Sequence, residues 1–222
     1  MQKVISKRIK GWTKMRLSCM RIYLIRHGET AWNIKEKRFR GQLDISLSEE
    51  GMRQAELAGG ALEKEHLTAI YCSPLKRCLQ TAEKIKAYQE ETCRFLEEPL
   101  LIDIHFGDWQ GKKHSEIFEQ NPELEEQWNN HPEELIFPNG ESFYRVFERI
   151  DAFFKQLRQK ESSPIAIVTH RVVINIIMLY LLGLDLRHFW DFQFDNGSIS
   201  EITLEKNGKF QIIKTNDTHH LK

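Results

Sequence analysis

The chain has 222 residues, 41% of them hydrophobic and 29% charged, with as many Lys and Arg as Asp and Glu. This length suits one domain of ordinary size, and the composition excludes a disordered chain or a small disulfide-stapled scaffold. The balanced charge gives no reason to expect a nucleic-acid partner. It is unevenly spread, because Lys3, Lys7, Arg8, Lys10, Lys14 and Arg16 face no acid within residues 1–19, leaving the remainder six charges negative.

Residues 1–19 lack the long apolar stretch of a signal peptide. A basic nucleic-acid arm and an amphipathic membrane contact are the alternatives to a disordered basic extension or a misassigned start before Met20, and the latter pair is preferred. From 20 to 222 a single domain is expected. Arg21–Ile25 is apolar on both faces, as in a parallel strand covered by helices. A polar loop follows to about Leu47. Ser48 is an N-cap for a helix through Lys64, with Glu49 and Glu50 in its first turn. Ala69–Cys72 is a second strand, and Pro74 is placed at the first position of a helix reaching about Tyr88. A short strand is expected near Arg94–Leu96.

Residues 108–137 are polar, with Trp109, Phe118 and Trp128 spaced among prolines, and a helical cap insertion over about 108–140 is expected. Its aromatic residues, with Phe106 and Phe137, would suit an organic leaving group. Glu141–Gln159 has apolar residues at helical spacing, Pro164–Thr169 is the strongest strand, and Val172–Leu184, broken by Asn175, reads as a buried helix and not a membrane span. Ser198–Leu204 and Phe210–Ile213 form a hairpin turned by Asn207-Gly208. Alternating strands and helices predict an α/β domain, a three-layer α/β/α arrangement with a mostly parallel central sheet and helices on both faces. The four cysteines, Cys19, Cys72, Cys78 and Cys93, form no CxxC pair, no His spacing suits a metal, and neither metal nor cofactor is expected. Reduced thiols and the missing export signal give a cytoplasmic expectation, with a homodimer left open.

Ligands of such sheets bind beyond the carboxyl ends of the strands. Arg26 and His27 follow the first strand, Arg77 the second, and His170 and Arg171 the strongest one. Guanidiniums and imidazoles gathered at one edge suit a tetrahedral dianion. A neutral imidazole can attack phosphorus, given a carboxylic acid to protonate the departing alcohol.

The segments LIRHGETAWN (24–33), SPLKRCLQTA (73–82), DIHFGDWQG (103–111), NGES (139–142) and VTH (168–170) resemble, in order, the histidine phosphatase superfamily, which includes phosphoglycerate mutases, alpha-ribazole phosphatases and broad-specificity phosphatases. The resemblance spans Met20 to about Glu205. It implies a phosphorylated His27, a phosphate clamp of Arg26, Arg77 and His170, and substrate contacts from Asn33, Gly28 and Thr30. The general acid falls on Asp103, one methylene shorter than the usual glutamate. Arg171 stands where many relatives have glycine. It could bind substrate charge, cover the rim of the site, or pair with Asp103. His105 could contact substrate or pack beneath its loop, and Ser142 is a helix-start residue or a ligand. The leading reading is a phosphomonoesterase acting on small organic phosphate esters. The alternatives are an alpha-ribazole-5'-phosphate phosphatase of cobalamin synthesis, a phosphoglycerate mutase, and a non-catalytic phosphate-binding module.

Overall fold

The computed structural model describes residues 20–34, 38–160, 164–205 and 209–222. The basic segment 1–19 and the Asn207-Gly208 turn lie outside the described residues. Six strands form one sheet: β1 (Met20–Arg26), β2 (Ala69–Cys72), β3 (Arg94–Glu97), β4 (Ile165–Thr169), β5 (Ile199–Leu204) and β6 (Phe210–Asp217). Their order across the sheet is β3-β2-β4-β1-β5-β6. The first four in that order run parallel, while β5 is antiparallel to both β1 and β6. β4, whose five residues are all buried, is therefore central.

The helices are α1 (Ala31–Ile34), α2 (Glu49–Leu62), α3 (Lys76–Lys86), α4 (His114–Phe118), α5 (Pro122–Asn130), α6 (Phe143–Lys160) and α7 (Arg171–Leu182). Alternate residues of β1 take opposite sides, as a period of two requires. Tyr23 and Ile25 join Ala58 and Leu62 of α2 and Ala82 and Ile85 of α3. Ile22 and Leu24 join Val146, Ile150 and Phe153 of α6 and Val173 and Ile177 of α7. Helices thus cover both faces, and no helix among the described residues is long and apolar enough to cross a membrane.

Local chemistry sets several boundaries. Ser48 accepts the Gly51 amide at 3.1 Å and starts α2 as expected. Ser142 accepts the Arg145 amide at 3.3 Å, so it starts α6 two residues later than the apolar pattern indicates. α3 begins at Lys76 and not at Pro74, because the Lys76 amide donates to Asp44 Oδ1 at 2.7 Å, an acceptor from the preceding loop. β6 runs on to Asp217 through polar residues at the sheet edge, none of them buried, where apolar patterning carries no signal.

The segment between β3 and α6 carries α4 and α5. Its aromatics mainly build their own core: Phe106, Trp109, Phe118, Trp128 and Phe137 are all buried and pack on one another, and the first four also pack on Phe39. The expectation that all five would face an organic leaving group is corrected accordingly. Only Phe106, Phe118 and Trp128 present an edge to a cavity.

Asn175, the polar interruption in α7, is fully buried and ties that helix to the next segment. Its Nδ2 donates to the Phe189 carbonyl at 2.8 Å and the Phe192 carbonyl at 3.3 Å. Asn175→Ala leaves the Phe189 carbonyl unpaired in the interior and is expected to cost about 1–3 kcal/mol, read from urea unfolding. An unchanged midpoint would show that these bonds contribute nothing net.

Candidate active site

Sheet register places the site. The His27 amide donates to the Thr169 carbonyl at 3.0 Å, and the Ser73 amide donates to the Val168 carbonyl at 3.0 Å. The residues that follow β1, β2 and β4 therefore emerge side by side at one edge. The start of β5 closes it from the far side: the Arg26 amide donates to the Ser198 carbonyl, and Asn196 Nδ2 donates to the His27 carbonyl at 3.0 Å.

His27 and His170 stand edge to face with ring centroids 5.3 Å apart. His27 Nδ1 lies 2.7 Å from the Gly28 carbonyl. A carbonyl only accepts, so Nδ1 carries the proton and Nε2 keeps a lone pair. Burial, then the charges of Arg77 and Arg26, hold the ring well below the ordinary imidazole range, so it is neutral. His170 is fixed differently. Arg77 Nε, which only donates, is 3.2 Å from its Nδ1, so its Nε2–H faces Ser73 Oγ at 2.7 Å. It too is depressed, by burial and then by Arg77.

Arg77 is fully buried on the first turn of α3. It donates to the carbonyls of Leu43 (2.8 Å) and Gly41 (2.7 Å) and to Asp103 Oδ2 (3.1 Å). Asp103 also lies 3.6 Å from His170 Nδ1, and its Oδ1 accepts the Ile104 amide at 3.0 Å. Burial pushes the Asp103 carboxyl up from its ordinary value, against the opposing charge of Arg77. The partner of this carboxyl is thus Arg77. Arg171 instead lays its guanidinium over the Trp190 ring, 5.3 Å from the centroid.

A narrow cavity of about 40 Å³ is lined by Arg26, His27, Arg38, Arg40, Asp103, His170 and Arg171, among others. It shares Arg26, Arg38, Arg40, Trp128 and Arg171 with a neighbouring vestibule of about 860 Å³ that Trp32, Asn33 and Trp190 also line. A family model of the histidine phosphatase superfamily (branch 1) matches residues 22–218. The chain belongs to this superfamily. Phosphoserine phosphatase 1 of Hydrogenobacter thermophilus is 36% identical over 91% of this chain and 94% of its own length. Adenosylcobalamin/alpha-ribazole phosphatase of Escherichia coli is 29% identical over 88% of this chain and 94% of its own. The solved structure of Bacillus stearothermophilus YhfR superimposes with a TM-score of 0.83 at 32% identity, covering 91% of this chain and all of that one.

Against the expectations drawn from the superfamily motifs, Arg26, His27, Asp103 and His170 line one cavity, while Arg77 lines neither cavity and is held against Asp103 and His170. Gly28 and Thr30 do not line either cavity. The Gly28 amide donates to Thr81 Oγ1 at 3.1 Å, and an added Cβ would fall 2.3 Å from the Gly51 carbonyl oxygen. Thr30 bonds Asn33 Oδ1 through both its amide (2.9 Å) and its hydroxyl (2.8 Å). His105 Nδ1 accepts the Gly107 amide at 3.1 Å, beneath its loop.

Sequence reasoning missed Arg40, although RFRGQ (38–42) places two arginines around the buried Phe39. Arg40 Nη1 donates to Asn33 Oδ1 at 2.6 Å and to Thr30 Oγ1 at 3.0 Å, which aims the guanidinium at the cavity. Burial, then Arg77, lowers it to about 10, and burial, then Arg171 and Arg40, lowers Arg26 to about 9. These cations destabilise one another until an anion arrives. Arg40→Gln is expected to weaken inorganic phosphate binding about tenfold or more by calorimetry. A change under twofold would place Arg40 outside the anion site.

Proposed function

We propose that this chain hydrolyses small organic phosphate monoesters without a metal, through a phosphohistidine on His27. The observation that carries the reading is a neutral His27, its Nε2 keeping a lone pair, at a cavity also lined by Arg26, Arg38, Arg40, Arg171 and the buried carboxyl of Asp103. Arg26 and Arg40 line the cavity and supply donors and charge for the dianion, while Arg77, its donors spent on protein acceptors, contributes only its charge.

In the first step His27 Nε2 attacks phosphorus, the P–O ester bond breaks, and Asp103 gives its proton to the departing oxygen. In the second, water attacks phosphorus, the Asp103 carboxylate takes a proton from it, and the P–N bond breaks. Phosphate leaves, and His27 and Asp103 return to their starting forms.

Two features support hydrolysis over the other readings weighed from the sequence. Residues 108–140 contain Lys112 and Lys113 but no arginine to grip a phosphoglycerate carboxylate, as a mutase would. Asp103, though shorter than glutamate, lines the same cavity as His27, and burial raises its carboxyl, which favours an acid over a dead binding site.

The test is turnover of p-nitrophenyl phosphate with and without EDTA, together with an alkaline quench and mass mapping for phosphate on His27. Turnover insensitive to EDTA, absent in His27→Ala, with the label on His27, is expected. Bound phosphate without turnover would leave a binding module.

The acid step requires Asp103 protonated and His27 neutral. The rate should therefore fall below the His27 pKa, which lies under the ordinary imidazole value, and fall again above the Asp103 pKa, which lies over the ordinary carboxylate value. A bell is expected whose acid limb lies below the ordinary imidazole range and whose alkaline limb lies above the ordinary carboxylate range. Asp103→Asn should slow alkyl esters about a hundredfold or more and p-nitrophenyl phosphate far less, since only the former needs the proton. Equal losses for both esters would remove Asp103 from the acid role.

A further inference from the structure

The turn that leads into β5 reaches back to the backbone carrying His27. The Gly197 amide donates to the Arg26 carbonyl at 3.1 Å. Asn196 adds its side chain: Nδ2 donates to the His27 carbonyl at 3.0 Å and to the Gly28 carbonyl at 3.3 Å. Carbonyls only accept, so the amide is turned with its NH2 toward the backbone and its oxygen away.

The Gly28 carbonyl is the group that accepts His27 Nδ1–H at 2.7 Å. Its direction therefore decides which ring nitrogen holds the proton. The sheet does not fix that direction, because β1 ends at Arg26 and glycine restricts its own backbone less than any other residue. Turning the Gly28–Glu29 peptide over would present an N–H to His27 Nδ1. The proton would then sit on Nε2, and the lone pair needed at phosphorus would be lost.

Side chains supply what the sheet does not. The His27–Gly28 peptide is held at its N–H by Thr81 Oγ1 (3.1 Å) and at its carbonyl by Asn196. The next peptide is held at its N–H by Gln54 Oε1 (2.9 Å) and at its carbonyl by His27 Nδ1 and Asn196. Of these three side chains, Asn196 is the one bonded to the carbonyl that the ring uses. It lines the vestibule and not the narrow cavity, so it stands apart from the groups that would grip phosphate.

We infer that Asn196 is a positioning residue for the nucleophile: its amide holds the Gly28 carbonyl against His27 Nδ1, keeps the proton there, and leaves Nε2 open to phosphorus. The inference deepens the phosphomonoesterase reading and rests on it for its effect on rate.

The test is Asn196→Leu in the full chain, which removes both donors at similar length, with Asn196→Ala as a second variant. Spectra of isotope-labelled histidine nitrogens, with His27 assigned by its loss in His27→Ala, read the tautomer without a substrate. The wild type is expected to carry the proton on Nδ1, and the variants to populate the Nε2–H form. Their kcat for p-nitrophenyl phosphate should fall about tenfold, while the Kd for inorganic phosphate stays within about twofold. Alkyl esters should lose the same factor, because the nucleophile and not the acid is affected. A wild-type proton on Nε2, an unchanged tautomer or kcat in the variants, or a loss of phosphate affinity in step with kcat overturns the inference. Failure of both variants to fold also overturns it, and assigns Asn196 to stability. Absence of p-nitrophenyl phosphate turnover by the wild type would instead overturn the phosphomonoesterase reading, and the tautomer spectra then decide the role of Asn196 alone.

Discussion

The site depends on the guanidinium of Arg77. It is fully buried, yet every direction it faces holds an acceptor: two loop carbonyls, the Asp103 carboxylate and the His170 ring nitrogen. A buried charge without such partners would cost several kcal/mol. With them, one side chain joins α3, the loop around Gly41, the segment before α4 and the end of β4. Asp103 is placed by this contact, and the protonation state of His170 is set by it. The remaining groups of the site are arranged around that junction.

A second constraint is the accumulation of positive charge without an anion. Arg26, Arg38, Arg40 and Arg171 line one narrow cavity with a single carboxylate among them. Burial, then Arg77, keeps both imidazoles uncharged, with Arg26 and Arg40 adding to the effect at His27 and Arg40 at His170. A nucleophilic ring must be neutral, and the same field that neutralises it attracts a dianion. In the proposed reaction, attraction of the substrate and readiness of the nucleophile would thus come from one distribution of charge. The fold bears the repulsion because hydrogen bonds to fixed carbonyls, such as that of Phe194, anchor the individual guanidiniums.

Much of this was legible in the sequence where the cause is local. Apolar runs ending in Arg26-His27 and in His170 gave strand ends, and strand ends in a parallel sheet converge by topology alone. Ser48 worked as an N-cap because its acceptor and its target amide are three residues apart. Where the cause is distant, the sequence was silent. The start of α3 is set by Asp44, which lies 32 positions upstream. Arg40 looks like one more cation in a polar loop until Thr30 and Asn33 are seen to hold it. The orientation of Arg171 depends on Trp190, beyond the far end of α7. The aromatics before α6 were recognised as a group, but a sequence does not say whether such a group faces a ligand or itself, and here Phe39 draws them together.

The hydrogen bond from His27 Nδ1 to the Gly28 carbonyl leaves one nitrogen of that ring able to form a bond. In the proposed reaction the phosphoryl group is both received and surrendered at that atom, and each displacement turns phosphorus inside out. Two inversions restore the original handedness. A monoester made chiral with oxygen isotopes would therefore deliver its label to water, or to an acceptor alcohol, with stereochemistry retained, whereas direct attack by water would invert it.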